Sequence, residues 1–218
     1  MQMTPARGRP KVRSDEESRA IIVACAFELF IDQGYDATST NEIAARCQMS
    51  KRTFYRLFAS KTDLFAATVA HHRQLMMQFP PHDPARSLED QLATIFRVDI
   101  GPEDDRRRKA FLEMSIREIR SHPELLDLIT EIGGDASRKD LADWLDKGRA
   151  LGLVSIGEPL ATARILMDLL FGAAALKTGH GAEWPDGDDR PRFMRDCIRL
   201  IVGGIGAARR TDIEAAAG

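Results

Sequence analysis

The chain has 218 residues, of which 44% are hydrophobic and 29% are charged, and its formal net charge at pH 7 is −2. This length suits one large domain or two modest ones, and the apolar content is sufficient for a core. No apolar run approaches the roughly 18 residues of a membrane-spanning helix, and the first residues contain no apolar leader core, so we expect a soluble cytoplasmic protein.

The composition favours an all-α fold, because helix formers dominate and long alternations of β-branched residues are absent. Three cysteines, Cys25, Cys47 and Cys197, lie far apart in apolar helical surroundings. Their odd number and wide spacing argue against a disulfide framework or a zinc site, so we predict buried thiols. Basic and acidic residues number 11 and 8 within positions 1–80 but 20 and 25 within 81–218, so positive charge is concentrated in the first part.

Residues 1–13 are predicted to form a flexible basic arm, because they contain four basic residues and no acidic one. The run Arg7-Gly8-Arg9-Pro10 resembles an AT-hook core, whose extended arginines fit the narrow minor groove of A·T-rich DNA. The alternative is a disordered tail that attracts polyanions without sequence preference. Both interpretations stay open.

Two helix starts follow the arm. Ser14-Asp15-Glu16-Glu17 is typical of a capped N-terminus, and the helix that it opens has an apolar stripe and ends at Gly34. That stripe consists of Ile22, Cys25, Ala26 and Leu29. Ser39-Thr40-Asn41-Glu42 predicts a second capping box, in which Ser39 and Glu42 satisfy each other's backbone donors. The helix after it has two turns, with Ile43, Ala44 and Cys47 at helical spacing.

A further short helix is predicted to begin at Lys51, with Ser50 as its N-cap. One face of this helix is apolar and consists of Phe54, Leu57 and Phe58. The opposite face is basic and aromatic and consists of Arg52, Tyr55 and Arg56. Four basic residues and no acidic one lie between Lys51 and Lys61, although the whole chain is slightly negative.

Two short helices joined by a break at Gln48-Met49-Ser50 have the size and order of a helix-turn-helix. In that motif the second helix enters the major groove of DNA and the first crosses the backbone. The basic N-terminal turn of the second helix can meet phosphate directly. An ordinary helical hairpin with a solvated basic face is the alternative that the pattern leaves open.

The stretch from Arg19 through His72 resembles the N-terminal DNA-binding domain of TetR-type regulators. An apolar first helix with Gly34-Tyr35 at its end, and Thr38-Ser39-Thr40 with Ile43-Ala44 at the second helix, stand where that family has them. The most specific part is the recognition helix and the start of the fourth helix, which match Ser50-Lys51-Arg52-Thr53-Phe54-Tyr55-Arg56-Leu57-Phe58 with Ser60-Lys61 and Leu64-Phe65.

The resemblance implies a role for each matching position. Thr40 and Lys61 would touch phosphates and Tyr55 would lie against the sugar-phosphate backbone. The side chains nearest to base edges would be Lys51, Arg52, Thr53 and Arg56. The predicted DNA-binding set also contains Asn41 and the arm residues Arg7 and Arg9. Many family members have Gly or Ala where Arg52 stands, so this arginine would either read a guanine O6/N7 pair or hold a phosphate.

The rest of the chain is predicted to be helical as well. Ser60-Lys61-Thr62-Asp63 opens a helix that runs toward Phe79 and is stopped by Pro80-Pro81. We therefore predict three parts: the arm 1–13, a three-helix DNA-binding domain with the start of the linker helix over 14–79, and a larger helical ligand-binding and dimerisation domain over 80–218.

The C-terminal part contains predicted helices that start at Ser87 and Glu103, and Gly133-Gly134 predicts a kink or break. Two final helices, over 160–176 and 193–208, are apolar on most sides and must be buried. The resemblance implies that they pair with their copies across a two-fold axis and so form a homodimer. The alternative is the core of a monomer.

A small apolar or amphipathic effector is the expected ligand of this part. Large, adaptable side chains that suit such a pocket are Phe111, Met114, Trp144, Met167 and Phe171. Plain core packing is the alternative for each of them. No nucleophile signature, phosphate-binding glycine loop or ligand-spaced cluster is present, so we predict no enzyme activity, catalytic residue, cofactor or metal. The prediction is a homodimeric transcriptional repressor released from its operator by the effector, against a ligand-independent DNA-binding or architectural protein.

Overall fold

A computed structural model describes residues 13–176 and 189–203, in which all regular structure is helical, as predicted. Packing divides the chain into two compact units, one that ends at His71 and one that begins at His72. Within the described residues, no helix combines the length and apolar character needed to cross a bilayer. The helices are α1 Asp15–Ala37, α2 Thr40–Arg46, α3 Lys51–Leu57, α4 Lys61–His72, α5 Leu88–Ile95, α6 Pro102–Ser121, α7 Leu126–Ile129, α8 Ala136–Ala150, α9 Pro159–Leu176 and α10 Asp189–Gly203.

The first unit is built around α1. A full capping box at Ser14 and Glu17 starts this helix, as the sequence predicts. Gly34 adopts φ 87°, in the left-handed region that glycine occupies without a Cβ penalty, so the regular helix stops where predicted although a further turn reaches Ala37. Predicted stripe residues Ile22, Ala26 and Leu29 are buried, whereas Cys25 is half-buried.

Aromatic side chains fill the centre of this unit. Phe27, Phe30, Phe54, Phe58 and Phe65 are all almost completely buried. The rings of Phe30 and Phe65 meet edge to face with centroids 5.2 Å apart, a favourable aromatic geometry. α2 and α3 are therefore held on one side of α1 by large apolar side chains rather than by their own short hydrogen-bond ladders.

The prediction that the fourth helix runs toward Phe79 is wrong. α4 ends at His72, and one 3-10 turn, Arg73–Leu75, follows it. The chain then leaves the helix because other partners take over: Met77 is buried in the core of the second unit, and the Gln78 N–H donates to the Ile95 carbonyl at 2.9 Å. Tertiary contacts thus outweigh helix propensity in this segment.

The second unit has its core where α5, α8, α9 and α10 meet. Its large, almost completely buried members include Leu92, Ile95, Phe96, Leu141, Leu166, Leu170, Met194 and Ile198. The break predicted at Gly133-Gly134 takes the form of a π-helical segment, Thr130–Asp135, that leads into α8. Arg190 of α10 is buried and donates to the carbonyls of Val98 and Arg97 at 3.1 and 2.9 Å, which ties α10 to the end of α5.

Candidate nucleic-acid interface

Two N-caps set the geometry of α2 and α3. The Ser39 hydroxyl accepts the Glu42 N–H at 3.1 Å, and the Ser50 hydroxyl accepts the Thr53 N–H at 3.1 Å. The reciprocal half of the predicted Ser39–Glu42 box is not formed, because the Glu42 carboxylate accepts from the Gln33 side chain at 2.9 Å instead. Each cap still satisfies an N–H of the first helical turn.

The turn between the two helices is closed by backbone hydrogen bonds. Gln48 adopts φ 55°, and the Met49 N–H donates to the Ala44 carbonyl at 2.8 Å. The left-handed residue directly after the end of α2 reverses the chain, as at many helix C-termini. As a result, α3 begins at Lys51 after its cap Ser50, and Lys51 and Arg52 in its first turn are both exposed.

α3 has one buried and one exposed side. Phe54 is fully buried and Phe58 lies in the core beside it, with ring centroids 6.0 Å apart. Tyr55 is 54% exposed, a high value for a large aromatic side chain. Arg52 and Arg56 are exposed as well, so guanidinium and phenol groups share the outward side.

Tyr55 connects the outward side of α3 to the start of α2. Its phenol oxygen lies 3.2 Å from the Thr40 hydroxyl, within hydrogen-bond distance, and its ring packs edge to face on Phe54. Asn41 is exposed next to Thr40. Thr40, Asn41 and Tyr55 therefore form one continuous polar patch, while Thr53 is half-buried and shares a 2.9 Å hydrogen bond with the Ser50 hydroxyl.

Lys61 lies in a different environment from the exposed cations of α3. Its ammonium donates to the carbonyls of Tyr35 and Thr38 at 2.7 and 3.2 Å and lies 4.0 Å from the centroid of the Tyr35 ring. Two of its three N–H donors are thus used to hold the end of α1 against the start of α4. This internal role was not visible in the sequence.

A pair of contacts between α1 and α3 was also missed. Arg56, in the last turn of α3, donates to the Asp15 carboxylate in the first turn of α1. That hydrogen bond lowers the pKa of Asp15 from its usual range. Nearby, the Arg19 guanidinium donates to the Leu57 carbonyl at 2.8 Å and lies 4.3 Å from the centroid of the Phe58 ring. Asp15 was interpreted only as part of a helix cap.

The residues predicted to bind an effector are distributed over the second unit. Phe111 and Met114 are buried on α6, while Met167 and Phe171 are half-buried and pack on the core of α5, α8, α9 and α10. Trp144 is buried on α8 and lines a groove of about 870 Å³. Of the five, it is the one that the structure assigns to this groove. Arg7 and Arg9 lie outside the described residues.

The groove is defined here by the segment 79–82 and the C-terminal half of α8. The Trp144 indole N–H donates to the Pro80 carbonyl at 2.9 Å, and its ring stacks on His82 with centroids 3.8 Å apart. His82 Nε2 in turn donates to the Trp144 carbonyl at 2.9 Å. The walls are mainly apolar, with Asp140, Asp143 and Lys147 at the edge.

Residues 22–68 match a family model described as bacterial regulatory proteins, tetR family. YvkB of Bacillus subtilis, an uncharacterized HTH-type transcriptional regulator, is 26% identical over 156 residues, which cover 69% of this chain and 78% of YvkB. FasR of Mycolicibacterium smegmatis, an HTH-type transcriptional activator, is 39% identical over 57 residues, 26% of each chain. The structure is similar to that of the flavonoid-responsive regulator FrrA, with a TM-score of 0.59 and 24% identity over 86% of this chain and 96% of FrrA. At that identity the structural likeness concerns the fold.

Proposed function

Because this chain belongs to the TetR family of bacterial regulatory proteins, whose members bind DNA and are not enzymes, we propose that it is a homodimeric repressor released from its operator by a small effector. It is a DNA-binding transcriptional regulator. The observation that supports DNA reading by α3 is its outward side, where Arg52, Tyr55 and Arg56 are exposed above a buried Phe54. The proposed setting is the cytoplasm.

The proposed contacts to DNA lie at the start of α2 and on α3, where Lys51, Arg52, Thr53 and Arg56 are the side chains proposed to lie nearest to base edges. Lys51, Arg52 and Thr53 lie at the N-terminus of α3, where backbone N–H groups and the helix dipole favour phosphate and where side chains enter the major groove. Arg52 is the side chain proposed to read guanine, through its two parallel N–H donors. Thr40, Asn41 and Tyr55 hold a phosphate together, because the hydrogen bond between the Thr40 and Tyr55 hydroxyls keeps them adjacent and leaves one hydroxyl proton to donate to it.

Two of the proposed contacts are secondary. Lys61 has one ammonium N–H left after it binds the carbonyls of Tyr35 and Thr38, so it contributes charge near a phosphate rather than a strong hydrogen bond. The arm arginines Arg7 and Arg9 are proposed to enter an adjacent minor groove. We keep the proposed division into the arm 1–13, a DNA-binding part 14–79 and a regulatory and dimerisation part 80–218.

The proposed dimer uses α9 and α10. Ile165 and Leu169, one helical turn apart on α9, are 61% and 40% exposed, and Leu200 on α10 is 58% exposed. Large apolar side chains on the surface of the last two helices support a covered interface, because burial of each removes apolar area from water. A two-fold dimer has two copies of α3, and contact with successive major grooves on one face of B-DNA requires them roughly 34–36 Å apart.

The proposed effector is small and apolar or amphipathic. The groove at Trp144 offers an indole and an imidazole in a rigid stack, and about 870 Å³ is within the range of small-molecule sites. FrrA, which has the same fold, is named for its response to flavonoids. An effector that binds better to the conformer with wrongly spaced α3 helices would weaken operator binding by its differential affinity for the two conformers. Phe111, Met114, Met167 and Phe171 do not line this groove and stay predicted effector contacts elsewhere in the second unit.

Genomic DNA selection on the purified protein, followed by footprinting of the enriched fragment, tests the proposal. Arg52→Ala is expected to weaken binding to that fragment by about 1–3 kcal/mol and to relax base preference at one position of each half-site. Arg106→Ala on α6 is the control, because it also removes one exposed positive charge but lies in the second unit. Equal loss in both variants would contradict the role of α3.

The same fragment decides between repression and the alternatives. In a reporter strain, a repressor lowers expression from the fragment, and a panel of aromatic and amphipathic compounds should restore it. Expression that rises with the protein would show activation instead. Binding that no compound changes would support a ligand-independent DNA-binding protein.

A further inference from the structure

The carboxylate of Asp15 accepts a hydrogen bond from the guanidinium of Arg56, an arginine proposed to read DNA. Asp15 lies in the first turn of α1, and Arg56 lies in the last turn of α3, 41 residues later. The two side chains are 64% and 51% exposed, so their contact is on the surface of the first unit. DNA that approaches α3 therefore meets a guanidinium that already has a partner.

The capping box of α1 does not use the Asp15 side chain, since the Ser14 N–H donates to Glu17 at 2.9 Å and the Glu17 N–H donates to Ser14 at 3.0 Å. Like Glu16 and Glu17, Asp15 interacts favourably with the dipole of α1, but that role needs no contact with Arg56. The ion pair with Arg56 adds little to folding stability, because water screens a pair with this exposure. A negative charge beside a DNA-binding surface also opposes phosphate.

The position of Asp15 relative to α3 is fixed by Arg19. These two residues are one helical turn apart on α1 and face the same way. Arg19 donates to the last carbonyl of α3, at Leu57, and lies over the Phe58 ring. Arg19 of α1 therefore contacts the C-terminal end of α3 at two points, and these contacts keep the Asp15 carboxylate close to Arg56.

We propose that Asp15 is a specificity-determining residue. On DNA of random sequence Arg56 stays paired with the Asp15 carboxylate, whereas at the operator Arg56 leaves Asp15 and binds the DNA. A phosphate alone must displace a carboxylate of the same charge, so random DNA gains little from Arg56. An operator base edge with two acceptors, such as guanine O6 and N7, forms a bidentate pair that compensates for the lost Asp15 contact. This inference rests on the proposed role of Arg56 in DNA reading.

Asp15→Asn tests the inference, with Glu16→Gln as the matched control. Both variants remove one exposed negative charge from the first turn of α1, and both leave the Ser14–Glu17 box in place. Fluorescence anisotropy would measure binding to the footprinted operator and to a random-sequence duplex of the same length, over a range of salt concentrations. Thermal melting of each variant would show that it folds.

Asp15→Asn is expected to tighten binding to the random duplex about two- to fivefold, the range of an exposed ion pair, and to tighten operator binding less. The ratio of operator to random affinity should therefore fall. On random DNA the slope of log affinity against log salt should steepen by about 0.9, as expected for one added phosphate contact. Glu16→Gln should change the affinities for the operator and for the random duplex by similar factors, both smaller than the effect of Asp15→Asn on the random duplex.

Arg56→Gln provides the second arm. In that background Asp15→Asn should have no larger effect than Glu16→Gln, because the partner of Asp15 has been removed. The inference is overturned if Asp15→Asn leaves the affinity ratio unchanged, or if its effect persists with Gln at position 56. Wild-type protein that binds both duplexes equally would instead overturn the proposed function and this inference with it.

Discussion

The exposed apolar side chains of α9 provide a direct test of the proposed dimer. Ile165 is 61% exposed in a single copy, so truncation to Ala removes surface apolar atoms and leaves the core intact. Full burial of an Ile side chain stabilises by about 1.5–3 kcal/mol, and the exposed share of Ile165 corresponds to about 1–2 kcal/mol. Because each copy contributes one Ile165 to a two-fold interface, Ile165→Ala should weaken the dimer by about 2–4 kcal/mol, or roughly 30- to 1000-fold in dissociation constant.

Sedimentation equilibrium of wild-type and variant protein would measure this change. Leu151→Ala is the matched control, because Leu151 is 64% exposed but belongs to the end of α8 and not to α9 or α10. We expect the dimer of the Leu151→Ala variant to have the same dissociation constant as the wild-type dimer. A dimer that is unaffected by Ile165→Ala, or weakened equally by Leu151→Ala, would refute the assignment of the interface to this face.

Two further predictions concern the inside of each unit. Gly148→Ala should lower the melting temperature, because the added Cβ would lie 2.6 Å from His82 Cε1 and displace the ring that stacks on Trp144. Overpacking costs about 1–3 kcal/mol, which exceeds the gain of about 1 kcal/mol in helix propensity. Gly134→Ala, where a Cβ meets nothing within 4 Å, is its control in circular dichroism melts. Burial raises the pKa of the Cys47 thiol to about 12, so alkylation followed by mass spectrometry should modify half-buried Cys25 before Cys47. The free energy of unfolding should also fall as pH rises above 9.0, because the Cys47 thiol ionises there in the unfolded chain but not in the folded one. Cys47→Ser should reduce that fall. A pH dependence that the substitution leaves unchanged would contradict the raised pKa of the buried thiol.

Local signals were sufficient for the helix starts and for the two sides of α3 in the first unit. Ser14 and Ser50 mark helix starts because a hydroxyl that accepts an N–H two or three residues later is a short-range interaction. The buried and exposed sides of α3 follow from the spacing of Phe54 and Phe58 relative to Arg52, Tyr55 and Arg56. Gly34 marks the end of regular helix, since the left-handed conformation is strongly favoured by glycine.

Contacts between distant residues were outside the reach of such signals. Nothing in the local sequence indicates that Asp15 accepts from Arg56, or that Lys61 is bound by the carbonyls of Tyr35 and Thr38. The end of α4 was misplaced for the same reason, because the Gln78 N–H finds its acceptor at Ile95 rather than within a helix. The groove at Trp144 depends on Pro80 and His82, which are more than 60 residues away in the chain.

These distant contacts change the electrostatic argument for DNA binding. The sequence offers four cations between Lys51 and Lys61, but Arg56 is engaged by Asp15 and Lys61 by backbone carbonyls. Within the described part of this segment, Lys51 and Arg52 are the cations for which no internal acceptor is found. Each phosphate contact contributes about 0.9 to the salt slope, so one copy of α3 supplies modest affinity.

The proposed two-fold dimer would offset this shortage, because binding of the first half-site would convert binding of the second into an intramolecular step with high effective concentration. Operator affinity should then depend on Ile165, although this side chain lies in the second unit and is not a proposed DNA contact. At protein concentrations below the dissociation constant of the Ile165→Ala dimer, we expect operator binding by this variant to become steeply concentration-dependent. Binding of a single protomer to a single half-site should be the same in the variant and in the wild type. Equal operator binding by wild type and variant at those concentrations would mean that a single copy of α3 supplies the specificity.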